Sequence, residues 1–335
     1  MLHRNLRVGI IGLTALSASL TLGAQERQSG QGFSFSTGVD LIGVTATVTD
    51  RQGRFVPGLR AEDFVITENG TAQTISQFEA ERVAVSLGLV LDTSGSMAGE
   101  KMSAAQAAVG RFVHDLLGPG DEMFLYRFDN APVLLQDWTE DRRALVRRLA
   151  AVRPDGGTAM YDAVAEAVPL AAQGSRAKKA LVLISDGHDT DSVVSLRDVR
   201  QLIRESEVLV YAIGIDGAGG GAVRTLPLPI PGRPQIRLPW PGRPAPPRGT
   251  SGAATESVNA GALRQITDDS GGRTEIVRAA RDLDPATARI ADELSQQYFL
   301  GYVSTLPKDG RWHTIDVRVR RGDYIVRARK GYIAD

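Results

Sequence analysis

Hydrophobic and polar positions alternate with two different periods along this chain, and the change of period divides it. From Val39 the period is two: Ile42, Val44, Ala46 and Val48 fall on one side, Gly43, Thr45, Thr47 and Thr49 on the other. That is the pattern of a half-buried strand. Phe64–Thr67 and Thr74–Phe78 flank Asn69-Gly70, two residues that tolerate positive φ, and so predict a hairpin. From Val83 onward the strands instead read as apolar runs: Val83–Leu91, Met123–Phe128, Ala180–Ile184 and Val208–Ile215, with Val133–Leu135 a short further one. Runs of this kind mark strands buried on both faces.

Between the runs, apolar residues recur at helical spacing. Met102, Ala105, Val109, Phe112, Val113 and Leu116 form one stripe, Leu145 and Leu149 a second, and Tyr161, Val164, Ala165, Val168 and Ala172 a third. Pro169 is expected to bend or break that third helix near its end. Ser195 and Asp198 predict a capping box for a fourth helix, with Leu196, Val199, Leu202 and Ile203 behind it. Alternating strands and helices predict an α/β fold: a doubly wound, mostly parallel sheet covered by helices on both faces.

The pattern stops between Ile215 and Asn259. Residues 217–252 are dominated by Gly and Pro, with nine prolines from Pro227 to Pro247, five arginines from Arg224 to Arg248 and no acidic residue. Such a stretch cannot fill a core and is expected to be a disordered loop; the alternative is a basic docking arm around Trp240. Helical spacing then returns at Leu263 and Ile266, followed by a strand at Thr274–Val277. A helix opened by Asp284-Pro285 carries Thr287, Ile290, Ala291 and Leu294. The tail is β again: Tyr298–Ser304, then Ile315, Val317 and Val319, then Tyr324, Val326 and Ala328. Neither end has enough strands to stand alone, since an isolated hairpin is marginal. Residues 36–80 and 298–335 are therefore expected to pack as one small all-β module, with an α/β domain at 83–297 inserted between them.

Composition supports a full core, at 42% hydrophobic and 23% charged over 335 residues. The 39 basic and 39 acidic residues cancel, leaving no general attraction to nucleic acid or to anionic membranes. There is no cysteine, which excludes disulfides, thiolate metal sites and cysteine nucleophiles. His3, Arg4 and Arg7 precede an uncharged stretch from Val8 to Ala24 that ends in small residues. A basic start, a short apolar core and a small-residue exit predict a signal peptide at 1–24, cleaved after Ala24, and a secreted or periplasmic mature chain. The stretch falls short of the roughly 20 apolar residues a spanning helix needs. Residues 25–35, rich in Gln, Ser and Gly, are expected to be a disordered linker.

The candidate chemistry sits where the buried strands end. Asp92-Thr93-Ser94-Gly95-Ser96 follows the first apolar run, Ser185-Asp186-Gly187 follows a later one, and Gly156-Gly157-Thr158 precedes a helix. Open α/β sheets place ligands at such strand ends. Asp92, Ser94, Ser96, Thr158 and Asp186 offer only hard oxygens, which suit Mg²⁺, Mn²⁺ or Ca²⁺. Two carboxylates match the charge of a divalent ion, and five groups leave one place of six for a ligand from outside.

A D-x-S-x-S sequence, a Thr after a Gly pair and a later S-D-G together resemble the metal-ion-dependent adhesion site of von Willebrand factor type A (VWA) domains. The resemblance covers about residues 83–297 and occupies all five expected positions. It implies a Mg²⁺-like ion held by Asp92, Ser94, Ser96, Thr158 and Asp186, and a partner protein whose Asp or Glu completes the shell. The flanks, Val48-Thr49-Asp50-Arg51-Gln52-Gly53 with Val56-Pro57-Gly58-Leu59 and Glu62-Asp63-Phe64, and the ending Arg327-Ala328-Arg329-Lys330-Gly331-Tyr332, resemble VWFA-related proteins common in acidobacteria. The reading is of a non-enzymatic binding module.

Two rivals share features of this pattern. An aspartate-nucleophile phosphotransferase of haloacid-dehalogenase type also ends a strand on Asp, but needs a second acid two residues on, where Ser94 stands. A VWA partner subunit of an AAA+ ATPase would act where ATP is, against the export signal. No G-x-S-x-G elbow supports a serine hydrolase. His188, Asp189 and Asp191 are expected to form a solvated loop beside the metal, and Arg321-Gly322-Asp323 a hairpin turn rather than a recognition tripeptide.

Overall fold

The computed structural model describes residues 40–216 and 258–334. The signal-peptide, linker and Pro-rich-loop expectations lie outside the described residues. The first strands are β1 (Asp40–Thr49), β2 (Phe64–Glu68), β3 (Thr71–Gln73) and β4 (Ile75–Glu79). β2 and β3 turn at Asn69 and Gly70, with φ values of 48° and 81°, so the turn is where the sequence puts it. The strand returning from it is Thr71–Gln73, however, and the stretch expected to form the hairpin's second arm becomes β4, which crosses to a different sheet and pairs with the strand Tyr298–Ser304. Along β1 the predicted face, Ile42, Val44, Ala46 and Val48, is buried.

The chain then alternates: β5 (Val85–Asp92), α1 (Glu100–Arg111), β6 (Glu122–Phe128), β7 (Pro132–Thr139), α2 (Arg142–Ala150), α3 (Met160–Ala172), β8 (Lys178–Ser185), α4 (Leu196–Glu205) and β9 (Leu209–Ile215). It continues with α5 (Ala260–Thr267), β10 (Thr274–Val277) and α6 (Leu283–Ser295). These strands form one six-stranded sheet in the order β10-β9-β8-β5-β6-β7. Five are parallel, and β7 closes one edge antiparallel to β6. Every residue of β5 and β9 is buried, as two-sided cover requires. Met102, Leu145 and Ile290 from α1, α2 and α6 pack on one face. Met160, Val199 and Leu263 from α3, α4 and α5 cover the other. The α/β fold class is as the sequence predicts.

Two further local expectations change. The strand around Val133–Leu135 extends over eight residues, Pro132–Thr139, because an antiparallel edge strand faces solvent and needs no continuous apolar run. Helix α3 runs through Pro169 to Ala172. Pro169 lies on the exposed side of the helix, one turn from its end, where losing a hydrogen bond disturbs least of the packing.

Two residues after α6, the chain enters β11 (Tyr298–Ser304), then β12 (Trp312–Val319), β13 (Ile325–Arg327) and β14 (Gly331–Ile333). They interleave with the first strands in two four-stranded sheets, β13-β1-β11-β4 and β14-β12-β2-β3. Ile42, Val44, Phe64, Ile66, Tyr298, Leu300, Ile315 and Val317 share their core. β1 lies between β11 and β13, so each end of the chain supplies the other's hydrogen-bond partners. Arg321-Gly322-Asp323 falls in the connection from β12 to β13, where Gly322 has φ 91° and Asp323 pairs with Arg51.

Candidate metal-binding site

The order of the large sheet decides where its ligand crevice lies. From β5 the chain first builds outward through β6 and β7, then returns to β8, β9 and β10 on β5's other side. The crevice of an open α/β sheet opens where this direction reverses, beyond the carboxyl ends of β5 and β8. Asp92 ends β5, Ser185 ends β8, and Asp186 follows it. The two predicted acids therefore leave neighbouring strands on the same edge.

Backbone hydrogen bonds knit the three loops at this edge. Thr93 donates from its N–H and its Oγ1 to the Phe128 carbonyl, at 2.7 and 2.9 Å, fixing the first loop to β6. The Asp155 N–H donates to the Thr93 carbonyl at 2.8 Å, and the Gly95 N–H to that of Gly156 at 2.9 Å. The Thr158 N–H donates to Asp191 Oδ2 at 2.9 Å, while the N–H groups of Thr190 and Asp191 donate to the Thr158 carbonyl. The glycine pair has a steric cause. Gly156 has φ 75°, and a Cβ on Gly157 would lie 1.6 Å from Asp191 Oδ2.

The side chains are then set as follows. Asp92 is fully buried; its Oδ1 accepts from the Ser94 N–H at 2.9 Å and its Oδ2 from the Ser185 hydroxyl at 2.5 Å. Burial pushes its carboxyl up to about 6, with the Asp186 charge adding and the bonds from Ser185 and Ser94 opposing. The Ser94 and Ser96 hydroxyls lie 3.1 Å apart, Ser94 buried and Ser96 exposed. Thr158 is buried in the adjoining loop. Asp186 is buried too: Oδ2 accepts from Lys101 Nζ at 3.3 Å, whereas Oδ1 has no hydrogen-bond partner.

A buried carboxylate oxygen without a donor is costly, and so is a buried carboxylate short of positive charge. Both deficits are of the kind a cation relieves, so the residues present fit one. Among the described residues no three His, Asp or Glu side chains converge as a metal-binding group. A cation here would have to take hydroxyl oxygens beside the two acids.

Sequence reasoning missed several participants. Lys101 reaches Asp186 from the first turn of α1, and no spacing rule pairs it with a residue 85 positions away. Asn130 accepts from the Gly157 N–H at 2.6 Å. Asp189 and Asp191 do more than line a solvated loop: Asp189 Oδ1 accepts from the Tyr161 N–H and the Ser192 hydroxyl, and Asp191 holds Thr158. A local Asp-x-Asp signal was visible there, but not its partners.

Residues 87–188 match the family model for the von Willebrand factor type A domain. The minor fimbrium subunit Mfa5 of Porphyromonas gingivalis is 29% identical over 121 residues, 34% of this chain and 10% of that protein. The chain thus spans about a tenth of that relative. Among solved structures, a von Willebrand factor type A protein from Catenulispora acidiphila is 14% identical, with a TM-score of 0.48, over 90% of this chain and 74% of that one. BatB from Bacteroides thetaiotaomicron is 19% identical, with a TM-score of 0.46, over 63% of this chain and 98% of that one.

Proposed function

We propose that this chain, which carries a von Willebrand factor type A domain, is an exported, non-enzymatic binding module that holds a divalent cation and uses it to engage an acidic residue of a protein partner. Asp92 and Asp186 supply the matching charge; Ser94, Ser96 and Thr158 supply neutral oxygens, directly or through water. When bound, the cation offers a hard, positively charged ligand position to a partner's Asp or Glu. The chain's own part is to bring the two acids to neighbouring strand ends in a buried place and to leave Ser96 at the solvent boundary.

The observation that carries this reading is the buried, donorless Asp186 Oδ1 at the switch point, beside Asp92. Ser94 two residues after Asp92 leaves a phosphotransferase without its general acid. The likeness to a fimbrial subunit accords with an exported binding role.

Titrating Mg²⁺ or Mn²⁺ into the protein tests the site. Binding is expected in the wild type and absent in Asp92→Ala and Asp186→Ala; unchanged binding in both variants would refute it. A capture experiment from cell envelopes, with and without chelator, reads the partner. Turnover of small phosphate esters, lost in Asp92→Ala, would install the enzymatic rival instead.

A further inference from the structure

Lys101 is the second residue of α1, and its ammonium lies against Asp186, one of the two acids proposed to hold the cation. A cation in the first turn of a helix faces the positive end of the helix dipole, so this position is locally unfavourable. Gly99 before the helix, at φ 78°, provides no side-chain cap to offset it. What Lys101 gains is the acid: the pair is mostly buried, with side chains 23% and 7% exposed. Asp186 Oδ1 stays donorless even so. One ammonium thus covers half of what the acid could accept.

We propose that Lys101 is a built-in competitor for the divalent cation, pairing with Asp186 when the ion is absent and displaced when it binds. This inference rests on the metal reading of the site. The physical reason is charge. A divalent ion and an ammonium on the same carboxylate repel one another, so filling the site requires breaking the Lys101–Asp186 pair. The work done against that pair raises the ion concentration at which the site fills. Lys101 also keeps the ion-free domain folded, because it neutralises part of a buried acidic pair. Its long flexible stem allows the head to move to solvent without disturbing the helix.

The test uses the full chain with Mn²⁺ alone as the probe, its binding followed by electron paramagnetic resonance. Lys101→Met and Lys101→Gln remove the charge and keep most of the stem; Lys101→Arg keeps the charge. The neutral variants are expected to bind Mn²⁺ roughly tenfold more tightly than wild type, and Lys101→Arg to stay close to it. Thermal unfolding gives a second readout that a merely structural lysine would not produce. With chelator present the neutral variants should melt about 2–4 °C below wild type, and with saturating Mn²⁺ that deficit should close or reverse. Equal or weaker Mn²⁺ binding in both neutral variants, with binding abolished in Asp92→Ala, would overturn the competitor role and leave the site standing. Binding that persists in Asp92→Ala would overturn the site reading itself.

Discussion

Lys178 and Asp92 are buried ionisable groups at opposite ends of the same sheet, and their surroundings treat them differently. Lys178 opens β8, is 1% exposed, and donates to the Leu294 carbonyl at 2.7 Å. Burial lowers its ammonium to about 8, with Arg82 adding and Asp121 opposing. Below that value the folded state carries a buried charge; between about 8 and the ordinary lysine value the unfolded chain holds the extra proton. Stability from this group therefore rises with pH through that window. Against Lys178→Met, the wild type should gain about 2–3 kcal/mol between pH 8 and pH 10.5 in urea unfolding. Parallel curves for the two proteins would remove Lys178 as the cause. The reason for Asp92 was readable in the sequence, because a carboxylate after an apolar strand is conspicuous. Lys178 was not, since a lysine heading a strand looks like a solvated end until α6 is known to close over it.

Glu293 ties several elements together. It sits on α6 with only 8% exposure, and its Oε1 accepts from Thr47 of β1 at 3.2 Å and Tyr211 of β9 at 3.0 Å. Its Oε2 accepts from Arg327 of β13 at 2.6 Å and pairs with Arg273 at 3.2 Å. Gln297, between α6 and β11, donates to Thr47 and to Tyr211, both at 2.9 Å. Burial and the Glu293 charge keep the Tyr211 hydroxyl well above its ordinary value, so it remains a donor. Glu293→Ala strips the carboxylate from two arginines and is expected to cost about 3–5 kcal/mol of unfolding free energy, with Glu293→Gln costing less. A loss below 1 kcal/mol in Glu293→Ala would show the network to be incidental. Helix and strand identities were legible from periodicity, and the Asn69-Gly70 turn from its chemistry. Strand β7 was underestimated because edge strands carry weak patterns, and the Glu293 network joins residues almost 250 positions apart.

The two ends of the chain share one core. β1 pairs with β11 and β13, and β2 pairs with β12. A second buried acid locks this core: Glu68, 1% exposed, accepts from Tyr302 at 3.0 Å, Ser304 at 3.0 Å and Tyr332 at 2.7 Å. A chain ending at residue 297 loses β11–β14, which leaves β1 without its two neighbouring strands and β2 with only the short β3. Residues 40–79 should then become sensitive to limited proteolysis, while the six-stranded sheet keeps its protected fragment and the cation binding proposed for it. Loss of both together would show that the sheet depends on the β module. Persistence of an intact 40–79 segment would show that the first strands stand alone.

The amino-acid pattern alone determined the α/β class and the apolar strands, and it marked out the five oxygen-bearing residues proposed to hold a cation, because those depend on period and on residue type within a few positions. The strand order was decided only in three dimensions, and with it the reversal between β5 and β8 that sets Asp92 and Asp186 on one crevice. So were Lys101 against Asp186, Asp191 against Thr158 and the interleaving of the two chain ends. These are contacts between residues far apart in sequence, set by how covered faces stack, and no local period encodes them.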